Sequence, residues 1–377
     1  VEFDGSTKNN LILDKAMVEE IRGSPAHTAV FKDTNPDCPD SERYKIVIKG
    51  SPRGLYLMVS ADGFHFRLKS DKPFATDGAF DSQNLMFWDS VGGAYREYHR
   101  KFDKGVRGIV TAASKDGIFP KPEWLKYPGA AEQALYTNQV QPYYRAPHIF
   151  MGFPMRYNDR GWSPSMTALP GLEERQFRSK QSGRYGTTVT DAAFMTSRDG
   201  VTFQRWGEAF IRPGPATKDT WVYGDNFIFW GMIQTKSHLE GAADDISLYA
   251  TEGYWQGAST SFRRYTLRQD GFVSARAGWK GGRLQTKPVI FDGTQLELNF
   301  ATSAAGSIRV EIQDTDGKPL DGFALADCPE IFGDTIARSI VWKDDSKDVS
   351  SLAGKPVRLL FELKDADLYS FRFGDDE

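Results

Sequence analysis

The chain has 377 residues, and its 47 Lys and Arg against 50 Asp and Glu give a net charge of −3. This balance argues against a nucleic acid or an anionic membrane as partner, because either would favour a basic surplus. The two cysteines, Cys38 and Cys328, exclude a disulfide-dense scaffold and a Cys-rich zinc site, and we expect both to be free thiols.

Most of the chain alternates apolar and polar residues, which is typical of half-buried antiparallel strands. Helical periodicity is scarce, and its best example is the short stretch 13–22, where Met17 and Ile21 share a face. The strands predicted up to residue 251 are residues 44–50, 54–60, 84–89, 95–99, 108–113, 148–153, 192–197, 227–233 and 246–251.

A turn sequence recurs among these strands. Ser60-Ala-Asp-Gly and Ser197-Arg-Asp-Gly each have an aromatic residue three positions after the glycine, and weaker copies begin at Ser114 and Arg268. Asp-Gly closes tight turns because Asp bonds its own backbone and Gly accepts a positive φ. Such turns occur in any all-β protein, but one copy every three or four strands favours the blades of a β-propeller.

The repeat divides a propeller domain, residues 1–275, into blades. Residues 1–12 resemble the end of an earlier blade, so we expect a five-bladed ring whose first blade is incomplete here or is formed unusually by the N-terminal stretch. An insertion at residues 156–186, rich in Arg, Gly, Ser and Pro, is typical of a functional or mobile loop. The predicted blades are residues 28–73, 80–125, 135–206 and 221–272.

Residues 276–377 contain cleaner strands that alternate Arg or Glu with Ile, Val or Leu, as in residues 307–313 and 357–363. One face of such a sheet is wet and the other belongs to a core. We therefore predict an all-β chain, a five-bladed β-propeller followed by a C-terminal β-sandwich.

Several stretches of this chain match a known group of proteins: residues 1–10, 31–36 and 364–373, together with Gly78-Ala-Phe-Asp-Ser-Gln-Asn and Trp221-Val-Tyr-Gly-Asp-Asn. Through them, and through its architecture, the chain resembles the furanosidase-type glycoside hydrolases of families 32 and 43. It looks most like the bacterial proteins labelled glycosyl hydrolase family 32-like, which are common in polysaccharide-degrading marine bacteria. The resemblance implies a propeller with a C-terminal sandwich and a carbohydrate substrate, and in such proteins another blade precedes the point where this chain begins.

The chain departs from family 32 at that family's catalytic motifs. It has no Asn-Asp-Pro, and Lys32-Asp33-Thr34 stands loosely where the family has Arg-Asp-Pro. The Glu-Cys motif is absent, although Asp81 falls at about that place. The resemblance therefore predicts the fold and the substrate class better than the mechanism.

Glycoside hydrolysis needs two carboxyl groups flanking the scissile bond, and acids at the starts of innermost propeller strands would converge on the axis. We expect Glu252, between Thr and Gly-Tyr-Trp, to be a general acid whose pKa is raised by aromatic neighbours. Asp81 is the strongest catalytic candidate; the alternative is a structural role, as an Asx turn that caps the following strand. Asp33 stands in what looks like a solvated loop. The predicted catalytic residues are Asp33, Asp81, Asp191, Asp225 and Glu252.

Polar and aromatic side chains near these acids suit sugar hydroxyls and rings. His99 is also compatible with a satisfied core histidine, and most of the aromatics with core between blades. Arg145 has the chemistry to bind a carboxylate or sulfate. The predicted substrate-binding residues are Asn84, Glu97, His99, Arg100, Asn138, Gln141, Arg145, His148, Trp221, Tyr223 and Asn226.

Neither a cofactor nor a metal motif is evident. The five histidines are scattered, with no His-x-His or His-x-x-x-His pair, although a structural Ca²⁺ is compatible with such a ring. No signal peptide or membrane helix is visible, and we favour a secreted or periplasmic location. We expect a glycosidase acting on a poly- or oligosaccharide that is neutral or anionic; the alternatives are an inactive carbohydrate-binding propeller and a scaffold or interaction module.

Overall fold

A computed structural model of the protein describes residue 2, residues 4–255 and residues 260–375. The chain divides into two units, unit 1 (Val1–Met232 with Leu248–Tyr265) and unit 2 (Ile233–Ser247 with Thr266–Glu377). Both are built mainly from β-strands, as the alternating pattern predicts. None of the helices in the described part of the chain is long and apolar enough to span a membrane. Both cysteines are free and buried.

Unit 1 contains three four-stranded antiparallel sheets that follow one another along the chain. In the first two sheets each strand pairs with the strand that precedes it in sequence. The first consists of β1 (Ser24–Lys32), β2 (Tyr44–Gly50), β3 (Gly54–Ser60) and β4 (Arg67–Leu68). The second consists of β5 (Leu85–Asp89), β6 (Ala94–Asp103), β7 (Val106–Ser114) and β8 (Glu123–Trp124).

The third sheet carries the long insertion. Its four strands are β9 (Gln141–Tyr143), β10 (Ala146–Gly152), β13 (Met195–Ser197) and β14 (Phe203–Arg205). The chain between β10 and β13 forms β11 (Met155–Asp159), the short helices α1 (Pro164–Thr167), α2 (Leu172–Ser179) and α3 (Arg184–Thr187), and β12 (Thr188–Ala192). The insertion is therefore a two-stranded ribbon with helices at its end, where the sequence predicts an irregular loop.

Two local predictions differ from the structure. Residues 13–22 form only a 3₁₀ turn, Ala16–Val18, although Val18 and Ile21 are buried. The predicted strand 227–233 is not continuous. Within it, Ile228 forms an isolated bridge with Ala250, and the next regular strand begins at Ile233. Left-handed backbone at Asn226 and at Gly231 interrupts the extended conformation that the apolar run suggests.

The recurring turn lies at the same place in each of the three sheets, between the third and fourth strands. The hydroxyl of Ser60 donates to Asp62 and that of Ser197 to Asp199, at 2.9 Å in both turns. Asp199 Oδ1 also accepts the backbone N–H groups of Val201 and Thr202. Burial alone would raise the pKa of Asp199, but these hydrogen bonds lower it to about 2.

Apolar residues from neighbouring sheets pack together in unit 1. One cluster contains Leu85 and Phe87 of the second sheet with Phe150 and Phe203 of the third. Another places Val47 and its neighbours of the first sheet with Met86 of the second. The three sheets thus pack face to face in chain order, and the side chains on their shared faces form the core of the unit.

After the third sheet the chain runs through β15 (Ile233–Thr235), β16 (Asp245–Glu252) and β17 (Ser261–Arg268). Unit 2 then adds β18 (Ala275–Ala277), β19 (Gly282–Gln285), β20 (Gln295–Gln313), β21 (Asp334–Ser339) and β22 (Arg358–Gly374). The long strands β20 and β22 pair antiparallel along most of their length. The core of unit 2 lies on one side of them, where Phe300, Val310 and Phe361 are buried.

We expect Asp199→Ala to lower the free energy of unfolding by about 1–3 kcal/mol, because three donors lose a charged acceptor. Urea unfolding at pH 7 measures the loss. The matched control is Asp116→Ala, in a turn where the carboxylate accepts hydrogen bonds from Ser114 and Ile118 and from no third donor in the described part of the chain. Equal losses in the two variants would contradict the role given to the extra hydrogen bond.

Candidate functional site

The loop before β5 presents Asp81 to solvent. Asn84 holds this loop, because its Nδ2 donates to the carbonyl oxygens of Phe80 (3.0 Å) and Ser82 (2.8 Å). Ser82 in turn donates to the carbonyl of Tyr136. Asn84 is therefore buried and holds the loop in place, and Asp81 stands at the tip of the loop.

Arg100 binds Asp81 from below. Its guanidinium hydrogen-bonds Asp81 Oδ1 and lies over the ring of Tyr136 at 5.2 Å. Burial alone would raise the pKa of Asp81, but the charge and hydrogen bond of Arg100 hold it below its usual value. Lys49 and His27 also interact electrostatically with Asp81. Asp81 is thus a persistent anion in a cationic setting.

Glu97 and His99 form a fully buried pair beside this loop. His99 Nδ1 lies 2.6 Å from Glu97 Oε2 and its Nε2 lies 3.0 Å from the carbonyl oxygen of Asp77. Burial opposes the charged imidazole, but Glu97 raises the pKa of His99 overall. The ring packs against Phe80, so the pair supports the Asp81 loop from inside the sheet.

Tyr136 belongs to a group of six aromatic side chains, and Tyr223 lies at the centre of the group. Their members, called the aromatic cluster below, are Tyr136, Tyr157, Tyr185, Tyr223, Tyr254 and Trp255. The ring of Tyr223 has its centroid 5.6–6.2 Å from those of the other five. Tyr223 is buried, whereas Trp255 is exposed, so the cluster has an open edge.

Arginines border the aromatic cluster. The guanidinium of Arg107 lies 4.0 Å from the centroid of Tyr157, and that of Arg184 lies 4.9 Å from Tyr185. Such stacked guanidinium groups keep donors available at their edges. Together with Arg100 they line the cluster with positive charge.

Arg178 of α2 is buried next to the same cluster, with 8% of its surface exposed. Its Nη1 donates to the carbonyl of Tyr254 at 3.4 Å, while Nε and Nη2 have no hydrogen-bond partner among the described residues. Burial lowers the pKa of Arg178, and the charges of Glu174 and Asp225 oppose that shift. A buried guanidinium with free donors is costly unless an anion completes it.

Asp225 is the most deeply buried of the acids beside the aromatic cluster, with 4% of its surface exposed. Its Oδ2 accepts the N–H of Val222 at 3.2 Å and its Oδ1 that of Tyr254 at 3.3 Å. Burial, helped by the negative charge of Glu252, raises the pKa of Asp225 to about 6. Gly224 is required beside it, because its φ is +93° and a Cβ there would collide with the ring of Tyr254.

Glu252 has the opposite environment. Its Oε1 accepts from Arg263 Nε at 2.5 Å and from the hydroxyl of Tyr265 at 2.8 Å. The Arg263 hydrogen bond, with the help of Tyr265, lowers the pKa of Glu252 despite partial burial. The prediction that aromatic neighbours raise the pKa of Glu252 is wrong; the raised carboxyl is its neighbour Asp225.

Cations engage two of the other predicted catalytic carboxyls. Asp33 is buried, with Lys45 Nζ 2.5 Å away and the hydroxyl of Tyr95 at 2.7 Å, so it does not lie in a solvated loop. Asp191 receives two hydrogen bonds of 2.6 Å from Arg156 across the β11–β12 pair. Neither contacts the aromatic cluster through a hydrogen bond among the described residues.

The remaining predicted ligands lie in different settings. Asn138 donates to the carbonyl of Gln83 and accepts from Val140, and Trp221 donates to the carbonyl of Gly214. Arg145 and His148 are exposed near the start of β10, and Nε2 of half-buried Gln141 has no partner among the described residues. No group of three or more His, Cys, Asp or Glu side chains in the described ranges is placed to hold a metal ion.

Two buried amides adopt left-handed backbone at the starts of apolar segments. Gln139 has a φ of +51° and Asn226 a φ of +61°. Both amide atoms of Gln139 and Nδ2 of Asn226 have no partner among the described residues. For Asn226 the sequence contains a signal of a buried amide before an apolar segment, because Asn226-Phe-Ile-Phe-Trp has the same pattern as Asn84-Leu-Met-Phe-Trp.

Comparison with known proteins gives structural matches alone. No family model matches the chain, and no curated protein matches it. A protein described as a glycoside hydrolase from Parabacteroides distasonis is similar with a TM-score of 0.42 at 11% identity, over 70% of this chain and 77% of that one.

Two further similar structures belong to the families named above. A family 43 arabinoxylan arabinofuranohydrolase from Bacillus subtilis, in complex with cellotetraose, has a TM-score of 0.27 at 10% identity, over 98% of this chain and 71% of that one. A family 32 β-fructofuranosidase from Bombyx mori has a TM-score of 0.34 at 11% identity, over 90% and 81%. These solved structures are glycoside hydrolases, as are the proteins that the sequence resembles, but at such identities and TM-scores the similarity assigns neither an activity nor a substrate.

The raised pKa of Asp225 predicts a pH-dependent stability. Its pKa is about 6 in the native state against 3.8 ordinarily, so its protonated form is favoured by folding. The stability from this proton is complete below the ordinary value and is lost as pH rises through about 6. The difference in unfolding free energy, Asp225→Asn minus wild type, should therefore rise by about 2 kcal/mol from pH 4.5 to pH 7. Urea unfolding at the two pH values measures this difference.

Glu252→Gln is the matched control, since its lowered pKa has the opposite sign. The stability that Glu252 contributes exists above its ordinary pKa and is lost as pH falls. The Glu252→Gln variant should therefore lose stability relative to wild type as pH rises. A pH-independent difference between Asp225→Asn and wild type would contradict the buried, protonated carboxyl.

Proposed function

We propose that the protein is a glycoside hydrolase that cleaves a poly- or oligosaccharide with Asp225 as general acid and Glu252 as the ionised second carboxyl. One observation carries this proposal: two neighbouring carboxyls have pKa values displaced in opposite directions, beside an open-edged cluster of aromatic rings. Divergent environments for a pair of carboxyls separate an acid from a base or nucleophile. Glycoside hydrolysis requires that pair of roles.

Each carboxyl suits its proposed role. Asp225, with a pKa near 6, keeps a proton available for a leaving-group oxygen at mildly acidic pH. Among the described residues, the hydrogen bonds that the Glu252 side chain accepts both fall on Oε1, so Oε2 has no such partner there and could meet water or the sugar. The open edge at Trp255 offers a ring face on which a sugar can stack.

The same surroundings support an anionic substrate, with a carboxylate or a sulfate substituent. Arg178 has two donors without partners among the described residues, next to the aromatic cluster. Arginine binds planar oxyanions through paired donors, so an anionic group would complete its hydrogen bonding. The other predicted catalytic residues, Asp33, Asp81 and Asp191, stay predictions.

For the architecture we propose that the sheets of residues 1–275 are blades of a five-bladed β-propeller and that residues 276–377 form a β-sandwich. Two features support blades: successive sheets pack face to face in chain order, and the same Ser-x-Asp-Gly turn joins the third and fourth strands of three sheets. The long antiparallel pair β20–β22, with a core on one side, supports the sandwich.

A carbohydrate-binding protein without hydrolytic activity is the second candidate. It is favoured by the pairing of four of the five predicted catalytic carboxyls with cations: Asp33 with Lys45, Asp81 with Arg100, Asp191 with Arg156 and Glu252 with Arg263. Such pairs hold a carboxylate ionised and occupied, which suits ligand orientation better than proton transfer.

Substitution of the two carboxyls tests the proposed chemistry. Asp225→Asn and Glu252→Gln should each lower kcat by about 10²–10⁴-fold, measured as reducing ends released from fructan, arabinoxylan, pectin and carrageenan. The wild-type kcat/KM should fall as pH rises above about 6, because Asp225 loses its proton. Glu208→Gln, an exposed carboxyl of the same unit, is the control that should keep full activity.

The outcomes separate the candidates. Loss of activity in Asp81→Asn, with full activity in both other variants, would move the chemistry to Asp81. Saccharide binding without released ends from any of the four polymers would favour the binding protein. Absence of both binding and hydrolysis would leave the scaffold.

Arg178→Met tests the anionic substrate. It should raise KM for a uronate- or sulfate-bearing substrate at least tenfold and leave KM for a neutral saccharide unchanged. Because Arg178 is buried without a carboxylate hydrogen-bond partner among the described residues, its removal should not lower the unfolding free energy. Arg212→Met, at an exposed arginine of the same unit, is the control, and equal effects on neutral and anionic substrates would overturn the assignment.

A further inference from the structure

Unit 2 has a groove of its own on the side of the β19–β22–β20 sheet away from its core. Phe361 and Leu363 of β22 are buried in that core, while Glu362 and Lys364 face the groove. The groove has a cavity volume of about 410 Å³. This is within the range of small-ligand sites.

Small residues form its floor. Gly282 lies opposite Leu363 across the strand pair, and Ser307 lies opposite Lys364. Gly281 has a φ of +76°, and a Cβ at this position would lie 3.3 Å from the carbonyl oxygen of Leu363. A Cβ at Gly282 would meet Ala277 of the core at 3.4 Å, so on the groove side it is Ser307, on the face of Lys364, that keeps the depression open.

Positive charge lines the walls. Glu362 is bound by Arg283, through Nε at 2.9 Å and Nη2 at 2.6 Å, and Glu330 lies 3.4 Å from Arg309. These two carboxylates therefore offset two of the four lining cations.

The other two cations, Lys280 and Lys364, have no carboxylate partner among the described residues. In addition, Arg309 Nε is buried without a hydrogen-bond partner there. The groove thus carries an excess of cations, with donors left for an anionic ligand.

A tryptophan stands beside these lysines. Trp279 is 62% exposed, and Lys364 Nζ lies 4.4 Å from the centroid of its ring. An exposed indole is unfavourable in water but offers a flat apolar face to the C–H groups of a sugar ring. The Lys364 ammonium lies over one face of the indole, so the sugar would stack on the other face with the charge close by.

From these features we propose that unit 2 binds an anionic saccharide in this groove, with a sugar ring on Trp279 and its carboxylate or sulfate at Lys280 and Lys364. This site is separate from Asp225 and Glu252 and does not rest on the proposed hydrolysis. It would hold the protein on a charged polysaccharide while unit 1 acts on, or binds, another part of that polysaccharide.

Affinity electrophoresis of the full protein tests the site, with dextran sulfate, polygalacturonate or neutral dextran in the gel. Wild type should be retarded by at least one anionic polymer and not by neutral dextran. Trp279→Ala and Lys280→Gln/Lys364→Gln should each weaken that binding at least fivefold, and added salt should weaken wild-type binding more steeply than that of the double variant.

Matched controls are Phe332→Ala, another exposed aromatic of unit 2, and Lys287→Gln, another exposed lysine. Both should bind as wild type does. Retardation by dextran sulfate alone assigns a sulfate ligand, and retardation by polygalacturonate alone assigns a carboxylate.

Three results would overturn the site: no retardation by either anionic polymer, equal retardation by neutral dextran, or wild-type binding by Trp279→Ala. Loss of binding in Trp255→Ala, with Trp279→Ala unaffected, would instead place the ligand in unit 1. Hydrolysis of a short oligosaccharide by Trp279→Ala should equal that of wild type, so failure here is distinguishable from failure of the proposed hydrolysis.

Discussion

A carboxylate taken out of water must be met by a cation or by hydrogen-bond donors, or it must keep its proton. This constraint sorts the acids of unit 1. Lys45 meets Asp33, Arg156 meets Asp191, and Arg263 with Tyr265 meets Glu252. Among the described residues Asp225 accepts hydrogen bonds from backbone N–H groups at 3.2–3.3 Å and from no cation, so it keeps its proton up to about pH 6. Asp225 keeps a chemically useful proton because, unlike the other three acids, it has no cation bound to its carboxyl among the described residues.

The cations follow the complementary rule. Arg100, Arg107 and Arg184 lie over aromatic rings, which partly replace the water that their guanidinium groups lose. Arg178 has one long hydrogen bond and a buried head group. Asp225 interacts electrostatically with Arg178 but accepts the backbone N–H groups of Val222 and Tyr254, and no hydrogen bond joins the two side chains among the described residues. A ligand bearing both an acidic substituent and a basic glycosidic oxygen would satisfy the two groups together.

The sequence predicted what depends on local pattern. Alternation indicated an all-β chain, and the Ser-x-Asp-Gly turns lie where one repeating sheet unit would place them. Partners distant in sequence escaped prediction: Arg156 lies 35 residues from Asp191 and Arg263 lies 11 residues from Glu252. Those partners decide the pKa of each acid. The sequence could therefore name candidate acids by residue type, but it assigned a raised pKa to Glu252, and that assignment is wrong.

Left-handed backbone occurs at several residues near Asp81 and Asp225. His27, Gln139 and Asn226 all have φ between +51° and +63°, a conformation that costs non-glycine residues about 1–3 kcal/mol. Asn226 follows Asp225, and His27 interacts with the charge of Asp81. Gln139 follows Asn138, which bonds the loop next to Asp81. Other non-glycine residues, among them Asp219 of unit 1 and Asp344 of unit 2, have a positive φ as well, so left-handed backbone alone does not mark a site. At Gln139 and Asn226 it coincides with buried amide atoms that have no hydrogen-bond partner among the described residues, and that combination carries a cost which ordinary turns do not.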